Sequence, residues 1–188
     1  YGTLTQLADD LYWARFALPF RLNHINLYVL DTPDGWCLVD TGVNDKVTAD
    51  HWQALLSGPL AHQRVSSILV THHHVDHIGY AGALSAITGA PVYASDEEAK
   101  HGHWLYNLSP EEFGSIMART YQRYDLPSET VQRVATNGSR FRANASPIPN
   151  FREIKQGDRI KTRSGIWEAR IDTGHSDAQI SLMDMERN

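Results

Sequence analysis

The sequence predicts an α/β layered domain, and three stretches carry the prediction. Val65–Ala94 reads as strand, loop, helix and strand, the alternation of a sheet covered by helices. Asn23–Asp40 reads as a β-hairpin. Ser95–Asn144 holds three helix starts in succession and reads as a helical insertion (95–144) within one domain spanning 1–188. Composition agrees. A chain of 188 residues with 41% hydrophobic and 21% charged residues can bury a core and lacks the bias of a disordered chain.

The elements follow in order. Leu11–Leu18 and Asn23–Leu30 are runs suited to strands. Thr32-Pro33-Asp34-Gly35 is turn chemistry: Pro presets φ and Gly tolerates positive φ. Trp36–Asp40 returns as the partner strand, and Thr41-Gly42 ends it. In Asp45–Ser57, Trp52, Leu55 and Leu56 fall at helical spacing before Gly58-Pro59 stops the run. Val65–Val70 suits a buried strand. Tyr80, Ala83, Leu84 and Ile87 form one helix face, Gly89 closes it, and Pro91–Ala94 is a strand. Ser95, Ser109 with Pro110, and Pro127-Ser128-Glu129 start the three inserted helices, with acids in their first turns. Ser146–Asn150 links back to strands. Ile154–Thr162 turns at Gly157-Asp158, Ile166–Asp172 is a strand, and Ile180–Met185 opens another.

Charge and composition exclude several classes. The net charge of −5 argues against a general nucleic-acid binder. Residues 119–170 hold 11 basic and 5 acidic residues, either a patch that attracts an anionic substrate or a solvated face. No apolar run approaches the roughly 20 residues that span a bilayer, so no membrane partner is expected. The single Cys37 excludes an internal disulfide framework and a cysteine-based zinc site, and a reducing, cytoplasmic location is expected. The sequence begins at Tyr1, and a trimmed N-terminus is expected.

Histidine is the unusual residue. There are ten, and four fall in Thr71–Tyr80, THHHVDHIGY. This segment joins the Val65–Val70 strand to the helix after it, where α/β proteins bind ligands. His72 and His74 are two apart, so on an extended segment they point one way and His73 the other. Asp76 and His77 come where the chain turns into a helix and offer a second direction. Two imidazoles one way, with a carboxylate and an imidazole another, suit two metal ions a few ångströms apart. An adventitious surface metal tract is the alternative; the core-like elements bracketing the run argue against it. His24 stands by a strand start, a candidate for the cleft edge. His73 is expected to be structural or exposed, and His51, His62, His101 and His103 lack partner spacing.

His72-x-His74-x-Asp76-His77 matches the HxHxDH signature of the metallo-β-lactamase superfamily, and the chain resembles its glyoxalase II-like branch. Thr71 and Gly79 match the context of that signature. Leu38-Val39-Asp40-Thr41-Gly42 resembles the family's early strand ending in D-[TS]-G, and the Asn26 strand its N-x-Y opening strand. Thr173-Gly174-His175-Ser176 resembles its later T-P-G-H-[ST] loop without the proline. The resemblance implies an αββα sandwich, here mainly its N-terminal half plus the insertion. It implies His72, His74 and His175 as ligands of one metal and Asp76 and His77 as ligands of a second. It implies Asp40 as a buried carboxylate that orients the site, and Asp76 as the group that orients water or relays its proton. The implied cofactor is Zn²⁺, two ions in the intact protein, with iron or manganese as alternatives.

The family normally supplies two more ligands later: a carboxylate bridging both metals and a final histidine. Asp184 precedes the expected return of its hairpin, and Asp177 stands only two residues from His175, so neither is read as the bridge. The expectation is a C-terminally incomplete chain with an exposed sheet face, pairing with a missing C-terminal half or a second copy as a homodimer. The implied activity is a metal-dependent hydrolase using a metal-bound hydroxide on a small ester, thioester, lactone or lactam. A non-haem iron redox enzyme of the same fold and an inactive metal-binding fragment are the alternatives. The insertion is expected to cap the cleft, with Trp104, Tyr106, Arg119 and Tyr121 as substrate contacts or as insertion core.

Overall fold

A computed structural model describes residues 1–137 and 140–187. Its centre is the strand Gly35–Val39, in which every residue is buried. Side chains alternate across a strand, so both faces of this one need cover. Trp36 and Leu38 pack into one core cluster, and Cys37 and Val39 into another. The sequence GWCLV thus dictates a layer on each side.

The strand is β4 of a seven-stranded sheet. Its companions are β1 (Leu4–Ala8), β2 (Leu11–Ala17), β3 (His24–Thr32), β5 (Val65–Leu69), β6 (Val92–Ala94) and β7 (Phe151–Glu153). They lie in sequence order. Pairing is antiparallel from β1 to β4 and parallel from β4 to β7. Parallel neighbours need crossovers, and helices supply them. Helix α1 (Lys46–Ser57) follows β4. The short α2 (Val75–Ile78) and α3 (Ala81–Thr88) follow β5. Asp45 caps α1 by accepting from the Thr48 N–H at 2.7 Å. The α1 Trp52 ring meets Phe16 of β2 edge-on at 5.2 Å, and its Nε1 donates to the Thr41 carbonyl at 2.8 Å.

The opposite face is covered by a second, antiparallel sheet of β8 (Arg159–Lys161), β9 (Ile166–Asp172) and β10 (Gln179–Asp184), in the order β10-β9-β8. Ala169 and Ile180 pack there against Leu30, Cys37, Val39 and Leu69. The layers are helix, sheet, sheet. Beyond β8 the inner face of the large sheet lies open as a groove of about 710 Å³, lined by Cys37, Ser67, Leu69, Tyr93 and Ile160 among others.

Between β6 and β7 run α4 (Asp96–Asn107), α5 (Pro110–Gln122), α6 (Ser128–Asn137) and a 3₁₀ turn at Arg140–Asn144. Helix α5 starts with a complete capping box: Ser109 Oγ accepts from the Glu112 N–H, and the Ser109 N–H donates to the Glu112 carboxylate. Helix α4 lies against α2. A Cβ on Gly102 would stand 2.8 Å from Ile78 Cδ1, so a larger residue there would have to shift the tip of that side chain. Among the described residues, no helix is long and apolar enough to cross a membrane.

Two strands escape the sequence pattern. In β1, Thr5, Gln6 and Leu7 are exposed at the sheet edge, so LTQLA has no alternation to read. β7 is only three residues long. The strand expected over Trp36–Asp40 ends at Val39, because Asp40 turns to φ 62°.

The two sheets are latched at the β1–β2 turn. The buried Asp10 carboxylate accepts from Thr162 Oγ1, Arg187 Nη2 and Trp167 Nε1. Burial alone would raise its pKa, but the donors outweigh burial and hold it at about 2, below its ordinary 3.8. Asp10→Asn is therefore expected to cost about 2 kcal/mol in urea unfolding at pH 7, as for a lost hydrogen bond to a charged group. A folded pKa below the unfolded value stabilises above pH 3.8 and is lost as pH falls toward 2. The gap between wild type and variant should close over that window. A gap constant with pH would contradict the latch.

Candidate metal centre

β4 and β5 run parallel, so their C-terminal ends share one edge of the sheet, the usual place for a ligand in such folds. Asp40 follows β4 there and Thr71 follows β5. The β9–β10 hairpin joins them, because the Ile180 N–H donates to the Thr71 carbonyl at 2.8 Å. His175 lies on that hairpin's loop.

Three imidazoles converge. His72 Nε2 lies 3.1 Å from His74 Nδ1, which lies 3.1 Å from His175 Nε2. The three ligand atoms fall within 4.8 Å of one another. Burial pushes His72 down to about 3, with the neighbouring His77 adding to the effect, so the ring is neutral at pH 7. Burial and the rings of His73 and His175 lower His74 as well. Neutral rings turn lone pairs inward. Zinc–nitrogen bonds of about 2.0–2.1 Å in a tetrahedron set neighbouring nitrogens about 3.3–3.4 Å apart. The donor set fits such an ion.

Asp40 fixes how two of the rings face. It is buried, with φ 62°, a left-handed backbone that is unusual outside glycine, though less so for Asp and Asn. Its carboxylate accepts from the Thr71 N–H at 2.8 Å, from the Thr71 hydroxyl, and from His77 Nδ1 at 2.8 Å. Thr71 Oγ1 also lies 3.0 Å from His72 Nδ1. Since the Thr71 proton goes to Asp40, His72 Nδ1–H is the donor in that last bond. Both His72 and His77 thus carry their proton on Nδ1 and keep Nε2 for the site. Burial alone would lower His77, but the Asp40 and Asp76 carboxylates reverse this and raise it. Its Nε2 stands 3.5 Å from an Asp76 oxygen. Burial would raise Asp40, and His77 and Thr71 hold it below the ordinary carboxylate range.

The metallo-beta-lactamase superfamily model matches residues 21–187. The chain belongs to the metallo-beta-lactamase superfamily. It is 34% identical over 122 residues to a hydroxyacylglutathione hydrolase of Pseudomonas aeruginosa, covering 63% of this chain and 44% of that one. The chain therefore spans about half the length of the curated relatives it matches. Among solved structures it resembles a beta-lactamase domain protein from Burkholderia ambifaria, with a TM-score of 0.79 and 26% identity over 98% of this chain and 54% of that one. A metallo-beta-lactamase family protein from Thermus thermophilus aligns with a TM-score of 0.76 and 26% identity, covering 94% and 56%.

Within this superfamily fold, the signature residues His72, His74, Asp76, His77, His175 and Asp40 gather at one sheet end. His24 starts β3 at that same end and bonds Asn23. Tyr106 on α4 donates its hydroxyl proton to the His73 carbonyl at 3.0 Å and so helps to hold the loop. Trp104 is exposed on α4. Arg119 lies on α5 beside Leu108, Glu111 and Ile116, and Tyr121 follows on the same helix. His101 is not solitary; its ring lies tilted against that of His73 with centres 5.3 Å apart. The residue that sequence reading passes over is Glu98 of α4. It is buried, and it bonds both His73 and Ser176. Those bonds hold its carboxyl well below the ordinary range, against the effect of burial.

Asp40→Ala would orphan three half-buried donors, two on Thr71 and one on His77. Metal-free protein should lose about 3 kcal/mol in urea unfolding. Asp40→Asn keeps an acceptor and tolerates the left-handed backbone, so it should lose less. Losses below about 1 kcal/mol in both variants would show that the donors find other partners.

Proposed function

We propose that this chain builds the metal centre of a hydrolase that cleaves small-molecule thioesters. His72, His74 and His175 hold one zinc ion, and Asp76 and His77 contribute to a second. The observation that carries this reading is the convergence of three imidazole nitrogens, with His74 Nδ1 standing 3.1 Å from both His72 Nε2 and His175 Nε2, beside the Asp76–His77 carboxylate–imidazole pair. Thioester is favoured over lactone and lactam by the relative named for hydroxyacylglutathione, an acylated thiol.

Bound at these residues, a divalent metal supplies Lewis acidity that makes water nucleophilic at neutral pH and polarises a carbonyl. The residues supply the rest. Thr71 and Asp40 hold His72 and His77 in the tautomer that leaves Nε2 available. Asp76, at the start of α2, orients the water and takes up its proton. His24, Trp104, Arg119 and Tyr121 are proposed to meet the substrate rather than the metal. Cys37 is a buried free thiol, which suits the cytoplasm.

The test is to replace His72, His73 and His74 by alanine in turn. Elemental analysis should show His72→Ala and His74→Ala losing most of the bound zinc and His73→Ala keeping most of it. Turnover of an S-acylglutathione should fall at least about 100-fold in the first two, the loss of roughly 3 kcal/mol of transition-state stabilisation. Equal metal loss from all three variants would overturn the ligand assignment. A lactone hydrolysed faster than the thioester by wild type would overturn the substrate class.

A further inference from the structure

We propose that Glu98 is a positioning residue that sets the spacing of the metal centre, by clamping the loop of His72 and His74 to the loop of His175. The inference rests on the metal-centre reading above and deepens it. Glu98 itself touches none of the three converging nitrogens.

The geometry is a division of labour between two oxygens. Oε2 accepts from the His73 N–H at 2.9 Å and from His73 Nδ1 at 2.6 Å. Oε1 accepts from Ser176 Oγ at 2.5 Å and from the Ala178 N–H at 3.0 Å. One oxygen therefore holds the residue between His72 and His74. The other holds the residue after His175. A carboxylate is rigid and planar, so its two oxygens fix the separation of two loops roughly a hundred residues apart in sequence. Helix α4 adds a bond to each loop: Tyr106 OH to the His73 carbonyl at 3.0 Å, and Ser95 Oγ to the Ala178 carbonyl at 2.7 Å.

The His175 loop needs such a hold. His175 is exposed, and Gly174 before it has φ 139°, outside the conformations of other residues. Within the loop the Gly174 N–H donates to the Ser176 carbonyl at 3.1 Å, and Ser176 and Ala178 beside it are buried. The clamp acts at those buried points.

A competing role is excluded by counting. The ligand atoms of His73, Glu98 and His101 also fall within 4.8 Å of one another, as in a metal site. An ionised carboxylate offers about four lone-pair positions. All four of Glu98 are filled by protein donors, and His73 Nδ1 gives its proton to one of them. The cluster has no free carboxylate lone pair for an ion.

The experiment loads Co²⁺ into the metal-free protein and reads its affinity by chelator competition, its visible absorption, and the melting temperature before loading. Glu98→Gln keeps the shape but turns an NH2 group toward one pair of donors. It should weaken Co²⁺ binding about 10–100-fold, as replacing a group behind metal ligands does, and shift the absorption bands. Ser176→Ala removes a single bond on the His175 side and should weaken binding several-fold with a band shift. It decides the matter if Glu98→Gln does not fold. Unchanged affinity and spectrum, with only the melting temperature lowered, would mean that Glu98 is structural alone and would overturn the proposal. His74→Ala serves as the control. If wild type binds no Co²⁺, or binds it no better than His74→Ala, the metal-centre reading itself has failed rather than the clamp.

Discussion

A buried carboxylate must be surrounded by donors or it costs several kcal/mol, and this chain buries two of them around one loop. Asp40 gathers Thr71 and His77, while Glu98 gathers His73 and reaches across to Ser176 and Ala178. Their demand for donors gives Thr71, His73 and His77 their directions. His73 is turned away toward Glu98, which leaves His72 and His74 to turn together toward His175. The alternation expected of an extended segment is thus enforced by hydrogen bonds on one side and used by lone pairs on the other.

The sheet makes this arrangement reachable. Parallel pairing of β4 and β5 brings Asp40 and Thr71 to one edge, with the Asp40 N–H donating to the Leu69 carbonyl at 2.8 Å. The loops after the two strands are then laced. The Thr41 N–H and hydroxyl both donate to the His77 carbonyl, and the Tyr80 N–H donates to the Gly42 carbonyl. The second sheet contributes through β10, whose Ile180 N–H donates to the Thr71 carbonyl and so carries His175 in from the other layer. Strand β4 anchors both layers because its side chains are apolar on both faces.

Much of this is legible in the sequence because it is written in local chemistry. THHHVDHIGY declares its ligands by type and spacing, and Ser109-Pro110-Glu111-Glu112 declares a helix start that forms with both capping bonds. The hairpin around Pro33-Asp34-Gly35 and the strand at Ile166–Asp172 follow the same logic. Asp40 is readable as a strand-end acid, though its left-handed backbone is not. Glu98 is hidden for a physical reason. Ser95-Asp96-Glu97-Glu98 reads as an ordinary acidic first turn, and a glutamate three residues after a capping serine commonly folds back onto the cap. Here it turns outward to two loops that sequence does not show to be neighbours, while Ser95 Oγ donates to the Ala178 carbonyl. Tyr106 is obscured similarly, since an aromatic on an inserted helix looks the same whether it faces substrate or a carbonyl. β1 is silent for the opposite reason: an edge strand with exposed residues leaves no pattern.

Two buried carboxylates thus orient the loops that bring three histidine nitrogens together. Anomalous diffraction from crystals of the zinc-loaded protein, collected at the zinc edge, would locate the ion. A peak is expected about 2.0–2.1 Å from His72 Nε2, His74 Nδ1 and His175 Nε2, with Glu98 still bonded to His73 and Ser176. A peak seated instead among His73, Glu98 and His101, with those bonds broken, would contradict that expectation.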